Sequence, residues 1–152
     1  MYYDRALAIR LNKLGPEHVD VANTYNTLGA VHGALGDLEQ AKGYYHRALG
    51  IRLKRLGPEH LDVSSIYHNL GVVHRALDDL DQAKENFDRA LAIYLNRLGP
   101  EHVNVSIVSR NVAELQQLIE RGQYFPALGR KRRYFSAQQE LVKIQRREGD
   151  NS

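Results

Sequence analysis

Apolar and polar positions follow the period of an α-helix along this chain. Tyr25, Leu28, Val31 and His32 share one helical face, so they predict a first helix, called helix A. A second helix, helix B, is predicted after a polar turn. Its apolar stripe consists of Ala41, Tyr45, Ala48, Leu49 and Leu53.

This pair of helices returns after 42 residues. The turn Gly15-Pro16-Glu17-His18 recurs as Gly57-Pro58-Glu59-His60 and as Gly99-Pro100-Glu101-His102. Residues 15–56 and 57–98 are identical at 25 of 42 positions without a gap. A fixed period of this length predicts a stack of similar units, each contacting its neighbours.

Turn residues mark the helix ends. Helix A is predicted to end at Gly36 and, one repeat later, at Asp78. Asp37 and Asp79 begin helix B, and each is followed three residues later by Gln, the spacing of a capping box. Gly57 is expected to take a left-handed C-terminal cap.

Two glycines lie in the middle of helix A. Gly29 and Gly71 each cost about 1 kcal/mol relative to alanine in a helix. Their recurrence at one repeat position predicts a close approach of helices, with Ala41 and Ala83 as the expected small partners.

These residues resemble a known family. Tyr25-x-x-Leu28-Gly29-x-x-His32 is similar to the tetratricopeptide signature, and Tyr67-x-x-Leu70-Gly71-x-x-His74 repeats it. The signature continues in helix B with Ala41, Tyr45, Ala48 and Ala83, Phe87, Ala90. The 42-residue period and Gly-Pro-Glu-His turn resemble the kinesin-light-chain-like subclass over roughly residues 1–121. The resemblance implies an all-α fold, an α-solenoid of helix-turn-helix repeats with a divergent C-terminal capping helix.

The resemblance also sets the expected domain boundaries. Residues 1–125 form the repeat domain, and residues 126–152 a basic linker followed by an amphipathic capping helix. Within the domain we expect a lone helix B (1–14), two full repeats (15–56 and 57–98) and a degenerate repeat (99–125). The last repeat is degenerate because Pro126 falls where helix B should continue. The lone helix suggests a fragment of a longer array or a truncated product.

In such repeats, helix A is expected to line a concave groove that binds peptides. The predicted groove residues are Asn23, Asn26, Thr27, Ser65, His68, Asn69, Val72, Arg75, Arg110, Asn111 and Glu114. Asparagine can satisfy both the N–H and C=O groups of a peptide, and the two arginines can pair with carboxylates. In the family, Asn at the places of Asn69 and Asn111 often contacts peptide.

The expected function is therefore that of a protein-binding scaffold or adaptor whose groove takes an extended, acidic or polar peptide. One alternative is self-association, as a homodimer, through the exposed end helices or the tail. Another is a regulatory domain of a larger signalling protein.

Composition narrows the classes of function. Apolar residues make up 43% of the 152-residue chain, but no apolar run is long enough for a membrane span. Cysteine is absent, which favours a reducing compartment, and we expect a cytoplasmic protein. Residues 1–120 carry 13 Lys/Arg and 15 Asp/Glu, which disfavours nucleic-acid binding by the repeats. The Arg130–Arg133 cluster is read as a solvated linker, a nuclear localisation signal, or a contact for nucleic acid or an acidic partner.

No motif for catalysis or cofactor binding occurs, so the chain is predicted not to be an enzyme. Seven histidines invite a metal interpretation, but the repeat separates His18, His60 and His102 by one unit each. They are predicted to cap or buttress the turns, and His32 and His74 to fill an aromatic position between helices.

Overall fold

A computed structural model describes residues 2–121, and all regular structure in that range is helical. The six helices are α1 (Tyr2–Leu14), α2 (Val19–Ala34), α3 (Leu38–Leu56), α4 (Leu61–Ala76), α5 (Leu80–Leu98) and α6 (Val103–Glu120). The pairs α2–α3 and α4–α5 are the two predicted repeats, α1 is the lone helix B and α6 is the helix A of the third. None of these helices is long and apolar enough to cross a membrane.

Histidine caps the first helix of every repeat. The Nδ1 atoms of His18, His60 and His102 each accept a hydrogen bond of 3.0–3.1 Å from the backbone N–H two residues later. This satisfies one of the donors that a helix N-terminus leaves without an intrahelical partner. The predicted capping role of these histidines is confirmed.

Of the predicted capping box, only the Asp side-chain cap forms, and in only one repeat; the Asp79 N–H donates to the His74 carbonyl oxygen and not to Gln82. Asp79 accepts a hydrogen bond from the Gln82 N–H at 3.4 Å. Asp37 also precedes its helix but makes no side-chain cap, and its Oδ2 lies 3.4 Å from His32 Nδ1 instead.

Positive φ angles end the helices, although not all as expected. Gly36 (φ 84°) and Asp78 (φ 64°) follow helix A as predicted. Gly57 combines φ 87° with ψ 165°, which is the extended region that essentially only glycine adopts. The left-handed helical cap predicted for Gly57 is therefore wrong, since its ψ is that of an extended residue.

The mid-helix glycines make room for rings, not for small residues. A Cβ on Gly29 would lie 2.7 Å from Tyr45 Cε1, and one on Gly71 would lie 2.6 Å from Phe87 Cδ1. The close approach is confirmed, but the alanine partners predicted for it are wrong. Ala41 instead lies near Gly33, one turn further along α2.

The core runs continuously from hairpin to hairpin. Its largest cluster joins α4, α5 and α6 through buried residues that include Tyr67, Leu80, Phe87, Val108 and Leu115. Burying one such side chain stabilises the fold by about 1.5–3 kcal/mol. Because each helix packs on its sequence neighbours, the order of the repeats fixes the order of the surfaces they present.

Arginines at the end of helix B fasten it to the turn that opens its own repeat. Arg55 Nε donates to the Glu17 carbonyl oxygen at 2.9 Å, and Arg97 Nε donates to that of Glu59 at the same distance. The two hydrogen bonds lie one repeat apart. The domain boundary at residue 125, the linker, the capping helix and the Arg130–Arg133 cluster lie outside the described residues.

Candidate peptide-binding groove

The helices α2 and α4 lie side by side and leave a hollow of about 310 Å³ between them, called here the central groove. This is at the lower end of the roughly 300–1,000 Å³ range of ligand clefts. Small residues keep it open on both walls. Its lining is Ala30, Gly33 and Ala34 from α2, Leu38 and Tyr45 from α3, and Asn69, Val72, Val73 and Ala76 from α4.

Two predicted groove residues meet at the rim of this hollow. Asn69 Nδ2 donates a hydrogen bond of 3.2 Å to Asn26 Oδ1, and both side chains are partly exposed. One bond uses only part of their capacity, so the Asn69 carbonyl oxygen and the Asn26 amide group can still address a peptide backbone. An apolar side chain of a bound peptide can therefore fill the hollow while the peptide main chain forms hydrogen bonds with this amide pair.

A second pair of predicted groove residues forms an ion pair. Arg75 Nη1 lies 3.0 Å from Glu114 Oε2, and this contact bridges α4 and α6. Both side chains are exposed by more than a third, so the pair contributes at most about 1 kcal/mol. Arg75 therefore has a partner within the chain, whereas Arg110 is exposed on α6. A ligand carboxylate can bind at this end by pairing with Arg110 or by competing with Glu114 for Arg75.

A buried arginine that sequence reasoning did not place in the groove organises its other end. Arg52 of α3 is 6% exposed and donates to the carbonyl oxygen of Asp62 at 2.8 Å. It also donates to Asn23 Oδ1 at 2.9 Å and to Ser65 Oγ at 3.4 Å. The Arg52 guanidinium therefore holds two predicted groove residues, Asn23 and Ser65, in place.

Burial lowers the pKa of Arg52, and the nearby Asp62 carboxylate opposes that shift. Its Nε is buried without a hydrogen-bond partner among residues 2–121. Arg10 of α1 occupies the same repeat position as Arg52. It makes similar contacts, since it donates to the Asp20 carbonyl oxygen at 3.1 Å and to Thr24. An arginine inside an apolar stripe, repeated 42 residues apart, is what could have identified it.

All eleven predicted groove residues are at least partly exposed, but they are not equally available. Thr27 Oγ1 donates to the Asn23 carbonyl oxygen within α2. His68 lies against Phe87 with ring centroids 5.7 Å apart, and burial lowers its pKa. Val72 is 50% exposed at the edge of the hollow. Asn69 and Val72 are therefore the predicted residues that line the central groove itself.

His32 and His74 contact the neighbouring helix at the aromatic position predicted for them. His32 stacks on Tyr44 at 5.3 Å, and His74 is buried with Nδ1 3.5 Å from Asp79 Oδ2. Burial lowers the pKa of His74. Within the part of the chain that the structure describes, no group of three or more potential ligands is arranged to hold a metal ion.

Comparison with known proteins identifies the family of these repeats. A family model, the tetratricopeptide repeat, matches residues 1–54, 30–96 and 62–140. No significant match was found among curated proteins.

Solved structures share the fold. The crystal structure of BtubC (BKLC) from P. vanneervenii is 30% identical with a TM-score of 0.73, and the match covers 78% of this chain and 48% of BtubC. Two crystal structures of a Podosopora anserina putative kinesin light chain with nearly identical TPR-like repeats are also similar. The first is 22% identical (TM-score 0.64), with 95% of this chain and 66% of that chain covered. The second is 20% identical (TM-score 0.63), with coverage of 99% and 65%. This chain thus spans about half of BtubC and about two thirds of the other protein.

Proposed function

Because the chain belongs to the tetratricopeptide repeat family, we propose that it binds a segment of a partner protein in the central groove. Repeats of this family generally mediate protein–protein interaction on a non-catalytic scaffold. The observation that carries the proposal is the hollow between α2 and α4 with the Asn26–Asn69 pair at its rim. The proposed role is that of a scaffold or adaptor without catalytic activity.

The groove favours an extended segment with three kinds of contact. An apolar side chain fills the hollow beside Val72, the segment's main chain bonds to Asn69, and a carboxylate approaches Arg110 on α6. Arg75 and Arg110 outnumber Glu114 at that end, which supports an acidic or polar ligand. Absence of cysteine agrees with a reducing compartment, so the proposal places this binding in the cytoplasm.

Selection of peptides from a random display library on the full chain tests the groove. A selected peptide should bind roughly tenfold or more weakly to Asn69→Ala, Val72→Arg and Arg110→Glu, and the charge reversal should depend on salt. Arg89→Glu, on the exposed side of α5, is the matched control and should leave affinity unchanged. Unchanged affinity in all three groove variants, with thermal midpoints preserved, would place recognition elsewhere.

Self-association is a second candidate, and the exposed face of α1 favours it. Ile9 is 56% exposed, whereas its repeat equivalents Ile51 and Ile93 are 6% and 4% exposed. Sedimentation equilibrium should then show a dimer that Ile9→Glu abolishes. A chain that stays monomeric at every concentration removes this candidate. The partial coverage of the similar structures leaves room for a third candidate, a regulatory domain of a larger protein.

A further inference from the structure

One exposed stripe of α3 lies outside the central groove. It consists of Gly43, His46, Arg47, Gly50 and Lys54 and is called here the α3 outer face. Steps of three, four and seven residues place these positions on one side of a helix. All five are exposed, while the opposite stripe of α3 is buried against α2 and α4.

Two tyrosines support the arginine at the centre of this face. The Arg47 guanidinium lies 5.7 Å from the ring centroid of Tyr25 and 5.6 Å from that of Tyr44. The two rings are themselves stacked at 6.1 Å. Stacking on aromatic faces orders a guanidinium and leaves its edge donors free for a planar carboxylate.

A hollow of about 390 Å³ adjoins Arg47 between α2 and α3. Tyr25 and Ile51 form its apolar part, and Arg47 and Lys54 its cationic part. Lys54 Nζ lies 3.4 Å from Glu17 Oε2, but the lysine side chain is 71% exposed, so this pair holds it weakly.

The next repeat provides an internal comparison. At the same positions of α5, Arg89 lies 5.6 Å above Tyr67 and also pairs with Glu85 at 2.7 Å. Lys84 pairs with Asp88 at 2.8 Å. The outer face of α5 therefore neutralises its own charges.

In α3, glycine and histidine stand where α5 has these two carboxylates. Gly43 replaces Glu85 and His46 replaces Asp88, so Arg47 lacks the carboxylate with which Arg89 pairs. The helix as a whole carries five Lys/Arg residues and one acidic residue, whereas α5 carries three of each. Relative to α5, α3 therefore carries an excess of positive charge.

The two glycines of this face have no role in internal packing. A Cβ built on Gly43 or on Gly50 would meet nothing within 4 Å, unlike those of Gly29 and Gly71. Each nevertheless costs the helix about 1 kcal/mol relative to alanine. Their effect on the surface is to flatten it on both sides of Arg47, so that another chain can approach the helix backbone closely.

We infer that the α3 outer face is a second docking surface, which binds an acidic segment of a partner protein. Two carboxylates of that segment pair with Arg47 and Lys54, which lie seven residues or roughly 10 Å apart along the helix. Charge-assisted bonds to a guanidinium are the stronger of the two contacts. This surface is separate from the central groove, and a partner can occupy both at once.

Fluorescently labelled poly-L-glutamate is a suitable probe, measured by anisotropy on the full chain at low salt. Arg47→Gln should weaken binding about tenfold, the equivalent of about 1.4 kcal/mol. The double variant Gly43→Glu/His46→Asp copies the α5 pattern and should weaken binding as much while raising helix stability. The reverse exchange, Glu85→Gly/Asp88→His, should strengthen binding by releasing Arg89 and Lys84 from their ion pairs.

Each series is repeated with Arg130–Arg133 changed to glutamine, so that binding by this basic cluster does not mask the effect. Lys13→Gln removes an exposed cation of α1 outside both surfaces; it is the control and should bind the probe as the wild type does. Equal affinity of the wild type, Arg47→Gln and Gly43→Glu/His46→Asp would overturn the inference. So would tighter binding of duplex DNA than of poly-L-glutamate at the same face, since that indicates a nucleic-acid surface.

Discussion

Replacing Gly71 with alanine places a methyl carbon 2.6 Å from two ring carbons of Phe87. Carbon atoms pack best at about 3.5–4.0 Å, so the ring would have to move by about 1 Å. Phe87 is 1% exposed in the largest core cluster and has little room to move. Overpacking of this kind costs about 1–3 kcal/mol, against a gain of about 1 kcal/mol in helix propensity.

Gly43→Ala is the matched control, because its new methyl group meets nothing within 4 Å. It should stabilise the protein by the propensity gain alone. The difference between the two substitutions, measured by urea unfolding followed by circular dichroism, isolates the packing cost of about 1–3 kcal/mol.

A double-mutant cycle tests the assignment to Phe87. In a Phe87→Leu background the ring edge is gone, so Gly71→Ala should lose most of its penalty and show a coupling of about 0.5–3 kcal/mol. If Gly71→Ala stabilises the wild-type protein as much as Gly43→Ala does, the close approach of α4 and α5 at this point is refuted.

Three further changes test other parts of the fold. Arg52→Met removes the hydrogen bonds to Asp62 and Asn23 and should lower the free energy of unfolding, measured in urea, by about 1.5–3 kcal/mol. A decrease no larger than that of Arg10→Met, at an exposed arginine, would contradict the organising role of Arg52. The pKa of His74 is lowered by burial, with Lys42 and His46 adding and Asp79 opposing. The unfolded chain therefore takes up the proton first, and the free energy of unfolding should fall as the pH drops below 6.5. If the free energy of unfolding of His74→Gln falls with pH as steeply as that of the wild type, this reasoning is refuted. If the tail caps the stack within one chain, deleting residues 127–152 should lower the thermal midpoint at every protein concentration. If the tail instead covers a second copy, the deletion should also abolish dimers. A truncated monomer as stable as the full chain would contradict the predicted capping role.

The fold could be predicted because its signals are local and repeated. The recurring turn, the 3.6-residue periodicity and the capping histidines each depend on neighbouring residues, so the sequence displays them directly. The family model and the similar structures confirm the tetratricopeptide assignment and the all-α solenoid. Repetition also converts weak signals into strong ones, as with the glycine that recurs at positions 29 and 71.

Side-chain partners were harder to predict, because they depend on how helices are rotated against one another. Small residues at Gly29 and Ala41 suggested that they touch, yet the ring of Tyr45 fills that space. The contact between Arg52 and Asn23 joins residues 29 positions apart, on helices of one repeat. The sequence alone gives both members of such a pair, but not the angle at which their helices meet.

Departures from the repeat carry information that the repeat itself cannot. Ala113 of α6 stands where Gly29 and Gly71 stand in the earlier repeats. A helix B with an aromatic ring at the usual position would meet its methyl group at less than 3 Å, by the same geometry as at Gly71. Docking of α1 from one copy onto α6 of another would bring Tyr3, the equivalent of Phe87, into that contact. Ala113 therefore opposes end-to-end stacking of copies through α1 and α6.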